Sequence, residues 1–281
     1  LQGGITGLVG TTIGLVLGFR SSSNLAAAYG IAVTTTMVIT TLLAYVVARR
    51  LWGWSVFGAA SLTLVFLAID LSFMGANALK IAHGGWFPLV VGAVIFVLMT
   101  TWKRGRELLG SRIREQLVPL QDFFELIRIE RPARVPGYGV FMTSNAEGTP
   151  PALMQNFLLN RVVQQQVVLL TVVTTEQARV TPEERVELSE LDQGFVRVVV
   201  RYGFMEQPDI PKLLETLKLA NWSLEHATFF LGRETVLPGE HGMPRWRQHL
   251  FSFLSRNSQR AATFFNVPPD RVMEIGSQIQ L

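Results

Sequence analysis

The chain has 281 residues, with 25 Lys and Arg against 21 Asp and Glu, a net charge of +4 and no cysteine. So small a net charge argues against a nucleic-acid partner, and the absence of thiols excludes a disulfide framework and a thiolate metal site. The charges are spread unevenly: only Arg20, Arg49, Arg50, Asp70 and Lys80 precede Lys103. Soluble domains are about a quarter charged, so residues 1–102 read as a transmembrane region and the remainder as an aqueous domain with its own core.

Four apolar runs come first: Leu1–Phe19, Leu25–Ala48, Trp54–Ala78 and Gly84–Trp102. At about 1.5 Å per residue each is long enough for a hydrocarbon layer of about 30 Å. The joints SSSN, RRLWG and LKIAHGG are short, so neighbouring spans are expected to run antiparallel. Arg49-Arg50 follow the second run and Lys103, Arg104 and Arg106 the fourth. That basic excess puts those two ends, and everything after residue 102, on the cytoplasmic side. Trp52, Trp54, Trp86 and Trp102 fall where interfacial aromatics belong, and Pro88 falls in a first helical turn. The chain opens inside an apolar run without an initiator Met, which reads as a fragment lacking its N-terminal portion.

Small residues dominate the first half of the second run. Ala26 and Gly30 lie four apart, and Gly10 and Gly14 repeat that spacing in the first run. Such faces let helix backbones approach closely in lipid, where packing replaces the hydrophobic drive. Thr34, Thr35, Thr36, Thr40 and Thr41 follow. Their hydroxyls can return to carbonyls one turn back or line a wet pathway.

Asp70 is the lone acid of this region. On a continuous helix it lies roughly 24 Å from the inner end and about 15 Å from the outer. A carboxylate at that depth costs about 2.5–3.5 kcal/mol on insertion scales. Such a cost is kept only where the group meets water, a partner or an ion. Desolvation disfavours the charged form of a carboxyl, which suits a proton carrier. A helix broken near Ser72 or Gly75 would instead leave Asp70 at the outer surface.

Residues 103–135 read as a basic amphipathic connector. Ile113, Leu117, Leu120, Phe124 and Ile127 recur at helical spacing. Residues 136–281 read as a cytoplasmic α/β domain. Its expected strands are 138–143, 167–174, 195–202, 227–231 and 271–280, and its expected helices 151–160, 211–219 and 245–256. His226, His241 and His249 show no metal-binding spacing and no phosphate loop occurs. No catalytic residue, metal or cofactor is expected, and 238–242 reads as an exposed turn.

Several stretches together resemble one known family. SSNLAAAYGIAVT followed by TM at 36–37, AN at 76–77, KIAHGGWFPL at 80–89 and MTTWKRGRELL at 99–109 look like the membrane signature of the Kup/HAK/KT potassium transporters. RVPGYGVFMT, PPALMQNFLLN, RYGFMEQPDIPKLL and MPRWRQHLFSFLSRN continue the match through the later domain. The resemblance implies K⁺ uptake coupled to protons in a bacterial plasma membrane. It implies that the four runs are the last four helices of a twelve-helix inverted-repeat transporter of the APC type, with the main K⁺ site on helices missing here. Asp70 matches an acidic position implicated in uptake, and Asn77, Thr34 and Thr36 are the further pathway candidates. Expected partners are the lipid bilayer, the missing helices and a second copy held through the cytoplasmic domain. The rival reading is a membrane-anchored signalling or scaffold protein.

Overall fold

The computed structural model describes residues 2–19, 21–217, 219, 222–237, 239, 242–259 and 261–280, without the side chains of residues 2–6, 8, 11, 15 and 17. Arg20, in the first joint, and positions 238, 240 and 241 of the expected turn lie outside the described residues. The chain divides into two compact units, Leu1–Thr100 and Thr101–Leu281.

The first unit is helical: α1 (Gln2–Phe19), α2 (Ser22–Arg50), α3 (Val56–Ala78) and the first half of α4 (Trp86–Glu115). By length and composition, α2, α3 and α4 are the helices among the described residues suited to cross a membrane. The run 1–19 forms α1, which is not among those three. Serine serves at both helix starts. Ser21 is the extended residue before α2, and the Ser55 hydroxyl accepts the Gly58 N–H at 3.1 Å, satisfying one of the free amides of the first turn. Arg49 and Arg50 end α2, where cations complement the helix dipole. Gly84, at φ 118°, turns the chain from a short 3₁₀ segment (Ile81–His83) into α4, and Pro88 sits in the first turn of α4.

Thr41 of α2 meets Asp70 of α3, and Gly30 meets Asn77. As one position rises the other falls, so α2 and α3 are antiparallel. Helix α3 runs unbroken past Ser72 and Gly75 to Ala78. A break at those residues is thereby excluded, and the Ser72 hydroxyl bonds back to the Ile69 carbonyl at 2.7 Å.

The helix formed by the fourth run continues past Trp102. Lys, Arg, Glu and Leu are good helix formers, and KRGRELLGSRIRE simply prolongs α4 to Glu115. The connector therefore splits: Ile113 belongs to α4, Pro119 precedes a new helix, α5 (Leu120–Glu130), and Leu120, Phe123 and Ile127 form the buried stripe of α5. The helix ends at Glu115, and the residue before Pro119, Val118, is disfavoured in helical backbone, which keeps 116–119 as the break.

The second unit continues with β1 (Ala133–Thr143), α6 (Pro151–Asn160), β2 (Val162–Thr175), α7 (Pro182–Arg185), β3 (Val186–Glu190), β4 (Phe195–Gly203), α8 (Ile210–Thr216), β5 (Ala227–Leu237), α9 (Arg245–Arg256), α10 (Ala261–Phe264) and β6 (Val272–Gln280). The sheet order is β3-β4-β2-β1-β5-β6. Its pairings are parallel except β3 with β4. Alternate residues feed two cores. Val140, Val168, Leu170, Val198 and Phe229 face α8 with Ile210 and Leu214. Phe141, Leu169, Phe195 and Phe230 face α5 and α6. Both faces are covered, which is why 167–170 is apolar without alternation.

In the second unit, α4 lies against α9. Gly105 leaves no room for a side chain: an added Cβ would stand 2.3 Å from the Phe251 ring. Close by, the Arg247 side chain donates to the Thr101 hydroxyl at 2.9 Å, and Leu109, Val236, Phe251 and Ile279 bury a third small core.

Candidate functional site

Asp70 is buried, 4% exposed, on the face of α3 that meets α2. The Thr41 hydroxyl donates to its Oδ2 at 2.5 Å, a charge-assisted length. The pair closes one wall of a groove of about 510 Å³ whose other walls include Tyr29, Thr36, Met37, Thr40 and Phe66. Among the described residues no cationic side chain lines that groove. A carboxyl group in an apolar helix pair, with a hydroxyl as its hydrogen-bond donor, is poorly compensated as an anion.

The other predicted residues of α2 and α3 lie to one side of this contact, toward Gly30 and Asn77. Thr34 is 6% exposed and donates to the Gly30 carbonyl at 2.8 Å. Thr36 lies in the groove wall and donates to Ala32 at 2.9 Å. Both are the backbone returns that mid-helix threonines commonly make. Asn77 donates to the Phe73 carbonyl at 3.0 Å and lies against Gly30, where an added Cβ would stand 2.6 Å from its Oδ1. Ala26 is exposed. The buried small face of α2 is Ala27 and Ala28 with Ile31 and Thr34, one position round the helix from the spacing that Ala26 suggests. Gly10 and Gly14 have open space before them. They line a second hollow of about 830 Å³ with Asn24, His83, Trp86 and Phe87.

Thr41 is the partner of Asp70 that sequence reasoning missed. It was one of five threonines able to bond its own backbone, and pattern alone does not reveal which one faces the acid. The missing information was the register of α3 on α2.

The second unit holds a different carboxyl site. Glu206 accepts the Gly203 N–H at 2.8 Å, the Val180 N–H at 3.1 Å and the Arg185 guanidinium at 2.5 Å. Those two amides, Gly203 first, hold the Glu206 carboxyl below the ordinary carboxylate range. Burial opposes them and Arg185 assists. Arg185 also lies 5.4 Å over the Tyr202 ring, and burial pushes the Tyr202 hydroxyl up. Gly203 permits the close approach, since an added Cβ would stand 2.3 Å from the Ala178 carbonyl. This clasp fastens the loop after β2 to the end of β4. Among the described residues no cluster of three His, Asp or Glu side chains is placed to hold a metal.

Comparison with known proteins decides the family. Residues 136–281 match the family model for the K⁺ potassium transporter C-terminal domain. Residues 6–107 match that for the K⁺ potassium transporter integral membrane domain. The chain belongs to the Kup/HAK/KT family of potassium transporters. It is 53% identical over 277 residues to the probable potassium transport system protein Kup of Myxococcus xanthus (strain DK1622), covering 98% of this chain and 42% of that protein. It is 50% identical over 275 residues to probable potassium transport system protein Kup 1 of Geobacter sulfurreducens (strain ATCC 51573 / DSM 12127 / PCA), covering 96% and 43%. The corresponding figures for the Kup protein of Pseudomonas aeruginosa (strain LESB58) are 47% over 277 residues, 98% and 44%. The chain thus spans less than half the length of the curated relatives it matches. Its architecture is a polytopic helical membrane segment followed by a mixed α/β domain, in a family of transporters rather than enzymes.

Proposed function

We propose that the full-length protein imports potassium ions across a bacterial plasma membrane together with protons, and that Asp70 is a proton-handling carboxyl of that cycle. The observation that carries the reading is a buried acid in an apolar helix pair, hydrogen-bonded to a hydroxyl and without a neighbouring cation. The potassium cargo rests on family membership. The relatives are more than twice as long as the matched stretch. In such a protein α1–α4 are the last four helices of a twelve-helix inverted repeat, and the principal ion site lies on broken helices elsewhere. Residues 1–102 are the membrane part, 103–135 the connector and 136–281 the cytoplasmic domain. The basic ends of α2 and α4 support that orientation. Thr34, Thr36 and Asn77 serve the pathway beside Asp70. The open faces of Ala26, Gly10 and Gly14 take neighbouring helices, and the α/β domain pairs two copies.

The test is potassium uptake by the full-length protein in a bacterial strain stripped of its own uptake systems. Uptake that rises as the external pH falls, and that survives in part when 136–281 is deleted, is the expected result. A protein that reaches the membrane yet moves no potassium would overturn the reading in favour of a membrane-anchored scaffold.

A further inference from the structure

Asp70 is hydrogen-bonded to α2 by the Thr41 hydroxyl, at 2.5 Å. Threonines elsewhere on the same helix do something else: Thr34 and Thr36 donate to the carbonyls of Gly30 and Ala32, one turn back. Thr41 has the same option toward the Met37 carbonyl, since any mid-helix threonine can reach four residues back. It forgoes that bond and reaches across to α3. A hydroxyl proton is drawn to whichever acceptor carries more negative charge, and a carboxylate outbids an amide carbonyl. A neutral carboxyl group does so far less.

We infer that Thr41 is the positioning residue of Asp70, a latch whose hydroxyl bonds the carboxylate and swings back to its own helix once the carboxyl takes its proton. The inference rests on the proposed role of Asp70 and adds the element that reads its charge. In the charged state the bond ties α3 to α2 and fixes Oδ2 at the groove wall. A proton arriving along the groove adds to the carboxylate, forming one O–H bond and removing the anion that held the latch. The α2–α3 contact then loosens while Gly30 and Asn77 remain packed lower on the pair. Proton binding is thereby linked to helix movement, as a coupled carrier requires. From α2, the element packed against this part of α3, the polar groups in the groove are Thr36, Thr40 and Thr41, and its titratable group there is Tyr29. Tyr45 lies one turn beyond Thr41, and Arg49 and Arg50 end the helix.

Thr41→Val removes the hydroxyl at nearly constant volume, and Thr41→Ser keeps it. Uptake of a rubidium tracer is measured against external pH in the full-length protein carrying each change, with Asp70→Asn alongside. A hydrogen bond to a charged group is strong enough that losing it moves a titration by about one pH unit. The expected result is a Thr41→Val profile displaced toward alkaline pH by about that much, a Thr41→Ser profile matching the unaltered protein, and loss of pH dependence in Asp70→Asn. A Thr41→Val profile that superimposes on the unaltered one while Asp70→Asn is impaired overturns the latch and leaves the role of Asp70 intact. If both variants behave as the unaltered protein, the role of Asp70 fails and the latch with it. Should Thr41→Val not reach the membrane, Thr41→Ala is read in the same way. A Thr41→Ser profile displaced as far as the alanine one also overturns the latch.

Discussion

Asp70 and Glu206 are both sheltered carboxyl groups, one in each unit, and they are provided for in opposite ways. Glu206 receives two backbone amides and a guanidinium, so its charge is fully met and it locks a loop in place. Asp70 receives one hydroxyl. Burial raises the cost of an anion in either setting. What separates the two sites is the number of donors supplied against that cost. The contrast extends to the surroundings. Leu42, Leu43, Val65 and Phe66 on α2 and α3 lie exposed, whereas the α/β unit encloses Phe123, Phe141, Phe157 and Phe230 almost completely.

If the α/β unit supplies its own stability, its largest vulnerability is the aromatic core. Phe141 and Phe230 stack at 4.3 Å between centroids with planes 8° apart. Phe141→Ala should cost about 3–5 kcal/mol in that unit, seen as a lowered unfolding midpoint in denaturant. A loss under about 1 kcal/mol would mean that the core is not self-supporting.

Glu206→Gln tests the clasp directly. Because the folded carboxyl is held below its ordinary range, its contribution is present above that range and is lost as pH falls through the depressed folded value. The glutamine variant should be less stable than the unaltered protein at neutral pH and indistinguishable from it in acid. Unfolding curves at several pH values check this. A gap that persists in acid would show that charge is not what the clasp uses.

The smallest effect sharpens the membrane side. Gly30→Ala would set a Cβ 2.6 Å from the Asn77 amide oxygen. That oxygen ends a flexible side chain, so a rotation accommodates the methyl group at a cost of about 1 kcal/mol. Thermal stability in detergent should fall slightly, with the pH profile of uptake unchanged. A displaced profile would mean that Asn77 and Asp70 act together.

Much of this architecture could be read from the residues. The apolar runs gave α2 and α3 to within a few residues, because length and lack of charge are strong signals for lipid-facing helices. Helices 151–160 and 245–256 and most parallel strands were legible because buried strands carry Val and Leu runs. Strand β3 was not: Val186–Glu190 is a mostly exposed edge strand with two glutamates, and only its pairing with β4 marks it. The continuation of α4 to Glu115 was not legible because KRGR reads as a membrane exit, although the same residues are good helix formers. At the site, the lone Asp70 was conspicuous through its charge. Thr41 was hidden because its significance comes from a helix register that no periodicity encodes.

The most direct measurement is proton movement driven by a potassium gradient, followed with a pH-sensitive dye in liposomes that contain the full-length protein. The account predicts that Asp70→Asn abolishes the potassium-driven proton signal, whereas Glu206→Gln leaves it intact at neutral pH. An undiminished signal in the Asp70→Asn protein would contradict it.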